Sequence, residues 1–138
     1  MAQGEQKAEE KGVSAIASHR NIVAFVAGAV AYVLILFRFL SCSERNKLPG
    51  EVYLTFAAVV LLIGFVVTLG ATTRRYRTAG FVLLGVCLAH GLVIVADYQQ
   101  DPTSHNLMPF EFAILGAITA PAYAGAGIAH LLDCIRKG

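Results

Sequence analysis

The chain has 138 residues, 57% hydrophobic and 14% charged, with a formal net charge of +2 at pH 7 and a mean hydropathy of +0.64. A soluble domain carries about 25% charged and about 45–50% apolar residues, so the composition excludes an ordinary water-soluble globule. With so small a net charge and no basic face in aromatic or motif context, a nucleic-acid partner is excluded as well.

The apolar residues come in membrane-length blocks. A helix needs about 20 predominantly apolar residues to cross the hydrocarbon core. Four such runs occur: Ile22–Leu40, Val52–Ala71, Thr78–Ala96 and Phe110–Leu132. They predict an all-α integral membrane protein, with four transmembrane helices in an up-down-up-down antiparallel bundle. This domain covers residues 22–135, between an N-terminal tail at 1–21 and a short C-terminus at 136–138.

The tail mixes Glu5, Glu9 and Glu10 with Lys7, Lys11 and Arg20. Its first dozen residues hold too little apolar surface to order themselves, so disorder is expected there. The apolar run that follows exceeds the signal-peptide core of about 7–15 residues and reads as an uncleaved first span. That span leaves the membrane at Arg38, and SCSERNKLPG makes the outer turn, punctuated by Pro49 and Gly50. Glu51 opens span 2, where a carboxylate suits the positive end of the helix dipole. Span 2 has no charged residue between Val52 and Thr73, which marks it as the most lipid-exposed helix. The short turn TTRRYR makes spans 2 and 3 antiparallel neighbours.

Orientation follows from Lys and Arg near the span ends. Lys7, Lys11, Arg20, Arg74, Arg75, Arg77, Arg136 and Lys137 share one side of a four-span chain, against Arg38, Arg45 and Lys47 on the other. Eight against three places both termini in the cytoplasm, in a multi-pass protein whose basic borders meet anionic lipid.

Three cysteines, Cys42, Cys87 and Cys134, fall at different depths. A disulfide needs Cα atoms within about 7 Å, so no intrachain pair is expected. Plain free thiols are the simplest reading. The alternatives are an interchain bridge at Cys42 and palmitoylation at the juxtamembrane Cys134.

In span 3, Cys87, His90 and Asp97 share one helical face, being three and seven residues apart. Cys87 and His90 form a candidate intramembrane polar site. Two ligands on one helix are weak grounds for a metal, and no metal site is assigned. The simpler expectation is a hydrogen bond from His90 to Tyr32, Thr119 or Tyr123, worth about 1 kcal/mol. His90 and His130 differ in depth by about 15 Å, too far for both to ligate one haem iron unless a partner subunit supplies the second ligand. No cofactor is identified.

The loop DPTSHNLMPFE, residues 101–111, is polar, and nearly every residue in it has a structural role. Asp101-Pro102 favours a turn, Thr103, Ser104 and Asn106 are turn formers, Pro109 suits a first helical turn and Glu111 suits the dipole there. The same loop also carries chemistry. With Arg38 and Asp97, the residues Asp101, His105 and Glu111 form a candidate outer-rim ligand site able to bind a divalent cation. The competing structural reading is an ion pair between Arg38 and Asp97, which lie at similar depth near the hydrocarbon edge.

Span 4 is dense in small residues. Gly116, Ala120 and Ala124 form one ridge; Ala117, Pro121, Gly125 and Ala129 form another. Such ridges let helix backbones approach closely in lipid, so span 4 is the expected packing centre. Pro121 lacks a backbone donor and should kink the helix.

No Walker loop, H-E-x-x-H or paired C-x-x-C occurs, and Asp101, Ser104 and His105 are too close in sequence to make a convincing triad. The leading expectation is therefore an interaction or accessory protein, either a homo-oligomer or a subunit of a larger membrane complex, packing through span 4. The first alternative is a membrane enzyme or ligand- or metal-binding protein using the outer rim, discriminated by alanine at His105 or Asp101. The second is an oligomeric small-solute transporter using His90, discriminated by His90→Phe.

Overall fold

The computed structural model of the chain describes residues 18–38, 40–71, 74–100 and 108–137. The tail assigned as disordered and the rim residues Asp101 and His105 lie outside these segments. Every regular element among the described residues is a helix. They are α1 (Ser18–Phe37), α2 (Cys42–Arg45), α3 (Gly50–Thr68), α4 (Arg75–Gln100), α5 (Met108–Thr119) and α6 (Pro121–Lys137). Four stretches are long and apolar enough to cross a membrane: α1, α3, α4 and the consecutive pair α5–α6. Twenty-residue apolar runs can satisfy their backbone in lipid only by closing hydrogen bonds within the helix.

The helix ends follow local chemistry. The last six residues of α1, Tyr32–Phe37, are wound as a π-helix, and Arg38 closes it in the left-handed region (φ 47°). The Arg38 N–H donates to Val33 O at 2.9 Å. In α2, the Ser41 N–H and O–H both donate to Glu44 Oε2, at 2.9 and 2.7 Å. The Glu44 N–H returns to Ser41 Oγ at 3.4 Å, which completes a Ser-x-x-Glu capping box. α3 stops at Gly70, whose φ of +67° suits a residue without a Cβ. The fourth span breaks where Pro121 stands: α5 ends at Thr119 and α6 restarts at Pro121, because proline offers no N–H to the turn behind it.

Buried positions recur every four residues: Ala24, Gly28, Tyr32 and Leu36 on α1, and Phe56, Val60, Gly64 and Thr68 on α3. These ridges meet in two glycine crossings. An added Cβ at Gly28 would stand 2.3 Å from Val82 O, and one at Gly85 2.0 Å from Phe25 O. At the second crossing, a Cβ at Gly64 would stand 2.2 Å from Ala122 O, and one at Gly125 2.1 Å from Leu61 O. In both, each glycine faces the carbonyl three residues before its counterpart. Thus α1 lies backbone to backbone on α4, and α3 on α6. Thr68 returns its hydroxyl to Gly64 O at 2.7 Å, so this polar residue at the α3–α6 crossing keeps its hydroxyl bonded.

α3 buries only 17% of its apolar window and α4 buries 39%, the lowest and highest of the four spans. The uncharged second span is thus the most outward-facing, as its composition predicts. The third span, rather than the small-residue fourth, is the most enclosed.

Polar ties close the end that carries the 69–74 turn. Asn21 Oδ1 accepts from Thr78 Oγ1 at 2.9 Å, and Arg20 donates to Leu69 O at 3.1 Å. Asp133 accepts from the Gly70 N–H at 3.0 Å and pairs with Arg75 at 2.8 Å. A carboxylate in the last turns of a helix opposes the dipole, and these two donors offset that.

Candidate functional site

The polar residues at the opposite end form two tiers. The upper tier is built on α2, which Arg45 ties to the ends of α1 and α4. From there Arg45 reaches back to three groups. It pairs with Asp97 of α4, donates to Leu40 O and lies with its guanidinium carbon 5.0 Å from the centre of the Phe37 ring. The expected partner for Asp97 was Arg38. The structure gives that place to Arg45 instead, because the left-handed turn at Arg38 directs that residue outward, where it is exposed. The Ser41 hydroxyl, and then its amide, hold the Glu44 carboxyl below the usual carboxylate range.

The lower tier lies about two helical turns deeper on α4, or roughly 10 Å at 1.5 Å per residue. His90 is nearly buried there, and both its ring nitrogens are engaged. Nδ1 lies 2.8 Å from the Tyr32 hydroxyl, and Nε2 lies 3.0 Å from Glu111 Oε2. The imidazole is held edge-on between two rings, with centroids 5.6 Å from Tyr32 and 5.2 Å from Phe112. Three spans meet at this ring. α1 supplies Tyr32 from the first position of its π-helical turn, α4 supplies His90, and α5 supplies Glu111 and Phe112 from its first turns. π-helical turns often occur where a helix must aim a functional side chain.

Of the rim candidates read from the sequence, Arg38, Asp97 and Glu111 are described, with Asp97 paired to Arg45 and Glu111 to His90. Of the three hydrogen-bond partners proposed for His90, Tyr32 is the one brought to it. Glu111 turns down to His90 rather than up to Asp97. Cys87 is half-buried one turn from His90 and, like Cys134, carries a free thiol. Among the described residues, no group of three or more His, Cys, Asp or Glu side chains is placed to hold a metal ion. His130 is exposed on α6, with Nδ1 3.8 Å from the Cys134 sulfur. The two ridges of the fourth span also part. Gly125 and Ala129 are buried against the chain's own helices. Ala120 and Ala124 are exposed, Pro121 is half-buried, and a Cβ on Gly116 would meet nothing within 4 Å.

Two residues that shape the site were not singled out as such from the sequence. Arg45 was only one of several rim charges, although the Ser41-x-x-Glu44 spacing that turns it back is visible. Asp133 had no role assigned; the signal was a lone carboxylate beside the basic inner border.

No family model, curated protein or solved structure matches this chain. What the fold and site define by themselves is an all-helical chain with four membrane-length helices and a hydrogen-bonded histidine among them.

Proposed function

We propose that this chain is a multi-pass membrane protein whose helices cross up-down-up-down, with both ends in the cytoplasm. It acts as an interaction or accessory subunit, packing against a second copy or a larger membrane complex. The orientation is supported by the eight Lys and Arg residues on one side against three on the other. The observation that carries the interaction role is the ridge of Gly116, Ala120 and Ala124. The chain uses small residues to bring helices together twice, at Gly28–Gly85 and at Gly64–Gly125, where an added Cβ would collide with backbone. On the fourth span a third ridge of this kind faces away from the bundle, with room around it. In lipid, where no hydrophobic force separates helix from solvent, a smooth small-residue surface is the main route to close association.

The test is crosslinking in the native membrane, with a companion variant carrying Ala120→Leu and Ala124→Leu. Bulky side chains on a close-packed face cost about 1–3 kcal/mol, so crosslinked species should fall about tenfold or more. A chain that stays strictly monomeric in the membrane, or association untouched by the leucines, rules out the ridge as the contact.

A further inference from the structure

We propose that the groove between the start of α1 and the end of α3 binds an anionic phospholipid by its phosphate headgroup. This goes beyond the interaction role and stands if that role fails; it requires only that the helices span a bilayer.

The groove measures about 220 Å³ and is lined by His19, Arg20 and Val23 of α1, by Val66 and Val67 of α3, and by Leu69 just beyond it. Its chemistry is layered. His19 and Arg20 stand at the mouth, and Val23 lies about one helical turn deeper. Val66 lies about one turn deeper than Leu69 in the same way. Val23 and Val66 keep 43% and 65% of their surface exposed. A phospholipid places a phosphate beside the head of an acyl chain, which matches a cationic mouth above an apolar wall. A soluble anion would leave that wall unmatched. Enclosed small-molecule sites measure about 300–1,000 Å³; a smaller groove on the outer surface suits a ligand whose chains stay in the bilayer.

Arg20 is already aimed. Its Nη1 donates to Leu69 O at 3.1 Å, which holds the guanidinium at the mouth. A guanidinium has five N–H donors in a rigid fork, and the remaining ones suit phosphate oxygens, with which they form strong charge-assisted bonds. His19 beside it is exposed and adds a ring N–H. The surroundings also favour an anion. Among the described residues, this end of the bundle carries Arg20, Arg74, Arg75, Arg77, Arg136 and Lys137 against one carboxylate side chain, Asp133, which is paired with Arg75. The last carbonyls of α3 carry the negative end of its dipole, and the bond from Arg20 to Leu69 O offsets that. Basic pockets between membrane helices recognise anionic headgroups in this manner.

The experiment places a photoreactive group in the groove, as Val66→benzoylphenylalanine in the full chain, within nanodiscs of equimolar phosphatidylcholine and phosphatidylglycerol carrying the same acyl chains. Mass spectrometry then counts lipid adducts by headgroup. Phosphatidylglycerol adducts should outnumber phosphatidylcholine adducts about tenfold, the worth of one charge-assisted contact. Arg20→Gln should bring the ratio close to parity, whereas Arg136→Gln, at the same border but outside the groove, should leave it unchanged. Parity without either substitution overturns the proposal with no further variant having to fold. A preference that survives Arg20→Gln overturns it too, as does one that both substitutions abolish equally, which marks diffuse attraction to the basic border. Adducts to protein in place of lipid assign the groove to a polypeptide and overturn the lipid.

Discussion

Arg45 joins α2 to Phe37, Leu40 and Asp97 at once. Removing one member of a mostly buried charged pair takes a charged partner from the other, at about 1–3 kcal/mol. Arg45→Ala and Asp97→Ala should each lower stability by that amount in reversible detergent unfolding. The double variant should lose less than the sum of the two, since each single variant already forfeits the bond they share. Glu44 gives a pH effect of definite sign. Its bonds to Ser41 depress the folded-state carboxyl value, so the cap is fully present above the unfolded value and is lost as pH falls through the folded one. Exchange of the Ser41 amide should accelerate on acidification beyond its intrinsic rate, and Glu44→Gln should remove that dependence. At this scale the sequence was partly legible. Spacing placed His90 in reach of Tyr32, because both lie at a similar height on their spans. It could not choose between Arg38 and Arg45 for Asp97, because that choice depends on the backbone of a turn.

At the scale of elements, the glycines differ by position rather than by type. Gly64→Ala would drive a Cβ to 2.2 Å from Ala122 O, a backbone atom that cannot swing aside. It should cost about 1–3 kcal/mol by overpacking, read as a lowered unfolding midpoint. Gly116→Ala has open space around it and should be neutral or stabilising by up to about 1 kcal/mol, the helix preference of alanine over glycine. Both glycines lie in apolar helices, so composition cannot rank them. The two small-residue ridges of the fourth span look alike in sequence for the same reason; only the seating of α6 on α3 shows which one is used within the chain. The equivalence of the Gly28–Gly85 and Gly64–Gly125 crossings was also invisible. The two pairs are separated by 57 and 61 residues, so no fixed period aligns them.

For the whole molecule, four apolar helices and a biased distribution of Lys and Arg lead to one expectation. Tags fused before Met1 and after Gly138 should be protected together in right-side-out vesicles, while a cysteine introduced at Lys47 should react with an impermeant reagent added outside. Tags on opposite faces would contradict the proposed crossing number. The number of membrane-length helices was readable from the sequence alone, because a backbone in hydrocarbon has no solvent to bond and must form long apolar helices to satisfy itself. The break at Pro121 was readable too, since a missing N–H acts locally. Which ridges interlock, which arginine meets Asp97, and that Glu111 meets His90 were decided only by tertiary structure. Those outcomes depend on how close two backbones come and how a turn is wound, and such distances are set between elements far apart along the chain.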